Sequence, residues 1–162
     1  MKSLRFWFRR TRSDFILILN YLKGYEKLRL PTDLTNPDLD NIETIWAKRL
    51  GNQLYRIENV PFLNDQVNLG DVVKCETSSD NFSLVVEIIR KSGSRNLRVE
   101  FAKETSAENA VDVIEELKRK KVFYERAGAR FYVFNVEPDM NYEEIHGLLK
   151  TKEDEGVLRI YE

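Results

Sequence analysis

The stretch LYRIENVPFLNDQVNLGDVVKCETSSDNFSLVVEIIRKSGSRNLRVEF, residues 54–101, decides the fold, because short β-rich runs alternate in it with residues that bend the chain. Pro61 fixes its own φ and disfavours helix at Val60, so Asn59 to Phe62 leaves one strand and turns. Gly70 supplies a left-handed backbone at little steric cost, and Asp71 beside it bonds nearby N–H groups, so Leu69-Gly70-Asp71 enters a new strand. Leu84 to Ile89 is too short for a helix and rich in β-branched residues. After the turn at Ser92-Gly93-Ser94, Leu97, Val99 and Phe101 point one way while Arg98 and Glu100 point the other.

Working outward, Ile42 to Ile57 reads as two strands joined at Gly51-Asn52, a hairpin dipeptide. Four or five short antiparallel strands before residue 92 predict a small barrel or curled sheet. Such a unit is marginal alone, so it is expected to share a core with the C-terminal part of the chain. In that part, Thr105-Ser106-Ala107-Glu108 has the form of a capping box. Ala107, Ala110, Val111, Ile114 and Leu117 then recur at helical spacing, predicting a helix over about 106–120. Runs at 122–126 and 130–136 flank Ala127-Gly128-Ala129, a hairpin. Asn141 caps a second helix, with Glu144 three residues on, and Val157 to Tyr161 closes the order β-α-β-β-α-β.

These residues also carry a resemblance. Trp46, the run Tyr55 to Phe62, Gly70-Asp71-Val72-Val73, and Ser92-Gly93 followed by Arg98-Val99 resemble the pattern of a bacterial domain-of-unknown-function family, number 4265, over roughly residues 42–162. The resemblance implies a small bacterial protein and brings no catalytic residue with it.

The chain of 162 residues is 42% hydrophobic, enough for a sizeable core. Its single cysteine, Cys75, excludes an internal disulfide framework, fits a reducing cytoplasm, and lies in phase with Val73 as a buried structural thiol. One His and one Cys leave no basis for a zinc or iron–sulfur site, and no cofactor is expected. The net charge of −1 hides an asymmetry: residues 1–30 hold eight Lys/Arg and two Asp/Glu, whereas the rest hold 18 and 25. A basic arm therefore precedes an acidic body, and arm and body are expected to attract each other. Within the arm, Arg5, Trp7, Arg9, Arg10 and Arg12 are candidate contacts for nucleic acid or lipid. The apolar run Phe15 to Leu19 is too short for a membrane span, and a helix starting near Ser13 or Asp14 is the favoured reading. Residues 31–41, with two prolines, read as linker, so the expected organisation is an arm and linker over 1–41 and one α+β unit over 42–162.

Chemistry is sparse. His146 lacks an orienting carboxylate and a nucleophile at recognisable spacing, so it reads as structural. Asp71 could act as a general base, yet the Gly-Asp pair explains it as a turn residue. Arg98 and Glu100, flanked by Arg90, Lys91 and Arg95, form either a solvated face or a partner-binding surface. Tyr124, Tyr132 and Phe134 could stack bases if exposed, although the motif of an RNA-binding sheet is absent. The expected fold is α+β: a β-rich, barrel-like half over 42–92, a ferredoxin-like half over 95–162 and an N-terminal helical arm. The expected function is a non-enzymatic cytoplasmic protein-binding module, specifically an immunity protein or inhibitor whose acidic body occludes a basic toxin. The alternative is a nucleic-acid-associated factor using the basic arm and the sheet surface.

Overall fold

The computed structural model describes residues 24–36 and 41–161. The expected N-terminal helix, the arm contacts Arg5, Trp7, Arg9, Arg10 and Arg12, and part of the linker lie outside the described residues.

Five strands close into a barrel in the order β1 to β5: β1 (Tyr25–Pro31), β2 (Ile42–Gly51), β3 (Leu54–Ile57), β4 (Val72–Thr77) and β5 (Ser83–Arg90). Successive strands pair antiparallel, and the barrel shuts where β1 meets β5 in parallel at Arg29 and Leu84. The first strand comes from the stretch read as arm and linker, so the barrel begins at Tyr25 rather than Ile42. Leu28 and Leu30 point in while Lys27 and Arg29 point out, the period-two alternation of a half-buried strand. The interior is filled by Leu28, Leu30, Ile45, Tyr55, Ile57, Val67, Val73, Cys75 and Val85, and each large apolar side chain contributes roughly 1.5–3 kcal/mol by leaving water. Gly51 to Gln53 all take positive φ, which makes the β2–β3 turn at the expected hairpin.

The C-terminal half runs β6 (Arg95–Phe101), α1 (Ala107–Arg119), β7 (Phe123–Ala127), β8 (Phe131–Val136), α2 (Tyr142–Asp154) and β9 (Leu158–Tyr161). Its antiparallel sheet has the order β7-β8-β6-β9. Both helices lie against one face, where Leu97, Val99, Phe101, Tyr132 and Phe134 meet Val113, Leu117, Ile145 and Leu149. Ser106 rather than Thr105 caps α1, accepting from Asn109 N, because the Thr105 hydroxyl donates to Val157 O instead. Asn141 caps α2 by accepting from Glu144 N, as its spacing predicts. Along the free margin of β9, Ile160 N donates to Glu153 Oε1 at 2.8 Å.

The two halves have separate apolar cores, which corrects the expectation of a shared one. Their junction is polar. Residues 59–64 leave the barrel after β3 and cross the sheet face opposite the helices. The Glu43 carboxylate accepts from Phe62 N, Leu63 N and Asn64 N at 2.8, 3.2 and 3.0 Å. Buried Asn64 donates to Pro31 O and accepts from Gln66 N and Val67 N. From the sheet side, Arg98 Nε donates to Phe62 O at 3.0 Å, its Nη2 donates to Asn64 O, and Glu125 accepts from Val60 N at 3.0 Å. Burial pushes the Glu125 carboxyl above its ordinary range against the pull of the Val60 bond, and burial lowers Arg98 from its usual value.

Candidate functional site

The five residues expected to form one recognition surface are scattered. Arg98 turns inward to the 59–64 segment, because residues of its parity on β6 face the barrel rather than solvent. Glu100 is held by Arg130 at 2.8 Å and by the Tyr161 hydroxyl at 2.8 Å. Arg95 lies 3.3 Å over the Tyr142 ring. Lys91 reaches Gln66 O and Asp71, while Arg90 ends β5 exposed to solvent. Arg98, Glu100, Arg95 and Lys91 therefore supply junction clamps and local pairs, while Arg90 faces solvent.

Asp71 is buried and fully engaged in the turn that its sequence context predicts. One carboxylate oxygen accepts from Ser92 N at 2.7 Å and the other from Asn68 N at 3.0 Å, pinning the loop before β4 to the link between the halves. Gly93 in that link has φ +86°, and a Cβ there would meet Pro138 Cγ at 3.0 Å. The Cys75 thiol faces the barrel interior, and burial pushes it up to about 12. His146 stacks on Tyr142 with centroids 5.7 Å apart. Among the described residues, no group of three or more His, Cys, Asp or Glu is placed to hold a metal ion.

The three aromatics read as a stacking surface turn toward the helices, and Tyr124 is half-buried there. Tyr132 and Phe134 are buried beneath the helices, and Tyr124 packs against both. Of the exposed aromatics, Tyr161 sits on the outer strand β9 of the sheet, whereas Trp46 and Phe82 lie on the outside of the barrel. Lys27 and Trp46 are directly opposite on β1 and β2. Lys27 Nζ stands 5.0 Å over the indole, which is 41% exposed. Two residues along β1 on the same face, the Arg29 guanidinium lies 3.7 Å over the ring of Phe82, itself 47% exposed, and pairs with Asp80 at 3.3 Å. Lys48 follows Trp46 on the outward face of β2. Apart from Trp46, which belongs to the family-like sequence pattern, sequence reasoning missed this wall. Its signal was the Lys-Leu-Arg-Leu alternation at 27–30, which places two cations beside the outward residues of the next strand.

The barrel and its junction coincide with the segments that carry the sequence pattern: Trp46 on the wall, Tyr55 to Phe62 through the crossing, Gly70 to Val73 at the Asp71 turn, and Arg98 at the clamp. The family pattern described as Domain of unknown function (DUF4265) matches residues 43–160. The chain belongs to this family. The DUF4265 match starts within β2, so the first barrel strand precedes the matched residues. Among solved structures, a hypothetical protein from Neisseria gonorrhoeae is similar, with a TM-score of 0.69 at 17% identity, covering 85% of this chain and 92% of that one. That similarity concerns the fold. No curated protein matches the chain. Among the described residues no helix is long and apolar enough to cross a membrane.

Proposed function

We propose that this DUF4265 chain is a non-catalytic protein-binding module, of the inhibitor or immunity type, that occludes its partner with the outer wall of the barrel. The observation that carries the reading is the pair of cation-capped aromatics, Lys27 on Trp46 of β2 and Arg29 on Phe82 of the β4–β5 turn, with both cations on the outward face of β1. Trp and Arg dominate binding hot spots because each offers a large contact area together with a polar or charged handle. A preformed wall also loses little side-chain freedom on association. The acidic-body argument for a basic toxin is replaced at this surface: Lys27, Arg29 and Lys48 call for a partner that presents carboxylates beside an apolar pocket.

The nucleic-acid alternative has one observation in its favour, since basic and aromatic side chains together also suit single strands. Each ring already carries a cation over one face, however, and a base stacking on that face would have to displace it. A protein partner can approach the ring edges and the cations together. Cytoplasmic location accords with the unpaired, buried Cys75. For the C-terminal half we favour the ferredoxin-like reading, supported by its β-α-β-β-α-β connectivity and the sheet order β7-β8-β6-β9.

The test places a photo-crosslinking residue at position 46 of the full chain in its host, with position 111, exposed on α1, as control. The expected result is one protein adduct at 46 that is lost with Lys27→Glu and absent at 111. A nucleic-acid adduct at 46 would favour the alternative, and no adduct would remove the wall as the contact surface.

A further inference from the structure

The junction between barrel and sheet holds two side chains whose bonding is incomplete. Both polar atoms of the Asn96 amide and both of the Asn135 amide are buried without a hydrogen-bond partner. Asn135 is 0% exposed. By contrast, the buried Asn64 and Asp71 are hydrogen-bonded several times over. Asn96 and Asn135 stand directly opposite each other on β6 and β8. They share strand parity with Arg98 and Val133, so they face the barrel and not the helical core formed by Leu97, Val99 and Phe134. Arg98 beside them already serves the 59–64 segment, and Glu125, opposite Val133 on β7, is bonded to Val60 N.

Leaving a buried amide donor or acceptor unmade costs about 1–3 kcal/mol for each group, and folded proteins keep few of them. Two donors and two acceptors concentrated at one cross-strand position therefore define a polar binding site. We propose that this pair is a built hydration site, in which an internal water bridges the Asn96 and Asn135 amides within the junction. Water fits the donor set, since it offers two donors and two acceptors and is retained in interiors where about three polar groups converge. The four amide atoms are themselves buried, so a water bound between them exchanges slowly. Such a water ties β6 to β8 on the sheet face that carries the Arg98 and Glu125 bonds to residues 59–64.

The experiment uses the full chain, isotopically labelled, with rotating-frame Overhauser measurements between water and the side-chain amide protons, together with oxygen-17 water relaxation dispersion. Long-lived water contacts are expected at Asn96 and Asn135, with a dispersion amplitude that is lost in the Asn96→Val/Asn135→Leu double variant. Removing both amides together leaves no stranded partner, so that variant is expected to fold; should it fail to, the wild-type contacts alone decide. A coupling across a direct bond between the two amides, the lack of any long-lived water contact, or an unchanged dispersion amplitude in the folded double variant would overturn the proposal.

Discussion

Replacing Arg98 by alanine should destabilise the whole molecule far more than removing any of the solvent-facing arginines. Its guanidinium donates to two backbone carbonyls, Phe62 O and Asn64 O, on the segment that joins the barrel to the sheet. Hydrogen bonds from a charged donor contribute about 1.5–3 kcal/mol each, and the variant also strands two carbonyls. Against this stands relief from burying a cation, the effect that lowers the arginine from its usual value. The net loss expected is about 2–4 kcal/mol. With a urea dependence of about 2 kcal/mol/M, that corresponds to a fall of about 1–2 M in the unfolding midpoint followed by circular dichroism. Arg98→Lys should lose roughly half as much, since an ammonium cannot reproduce the planar fork across two acceptors. Arg90→Ala, at an exposed strand end, should stay within about 0.5 kcal/mol of wild type. If Arg98→Ala behaves like Arg90→Ala, the clamp is not what holds residues 59–64 in place, and Arg98 returns to being a solvated charge.

The remaining predictions concern the turn, the buried carboxyl and the thiol. Asp71→Ala removes the acceptor for both Ser92 N and Asn68 N and should cost about 2–4 kcal/mol, a drop of about 5–12 °C in melting temperature; a change under about 2 °C would deny Asp71 its stapling role. Burial holds Glu125 above the ordinary glutamate value of 4.5, so its contribution to stability is full below that value and is lost as pH rises through the raised one. Glu125→Gln keeps an acceptor for Val60 N, so its stability relative to wild type should improve as pH rises above 4.5, and urea midpoints that stay parallel to wild type as pH rises would contradict this. Cys75, pushed up to about 12, should react with a thiol reagent at the rate of chain opening, while labelling as fast as that of the urea-unfolded chain would place it outside the barrel core.

Much of the fold was legible in local signals. Gly51, Gly70, Gly93 and Gly128 all take positive φ at turns read from sequence, and Asn141 caps the helix that its spacing predicted. The first strand was hidden because Leu28 and Leu30 alternate with Lys27 and Arg29 inside a run of basic residues, so charge balance overrode a four-residue periodicity. Arg98 was misplaced for a different reason. Alternation along β6 separates its two faces but does not say what covers the second, and the answer depended on a loop 36 residues earlier in the chain. Glu43 and Asn64, which organise that loop, carry no local signature, since three backbone N–H groups converge on one carboxylate only after the barrel has closed.

The carboxylate that Glu153 lends to Ile160 N covers one margin of the sheet. An uncovered outer strand invites a second chain to continue the sheet. Here the amide that an incoming backbone would need is already occupied from within the same chain. A second copy should therefore not add its backbone along β9, and neutralising that one side chain would remove the guard at this margin.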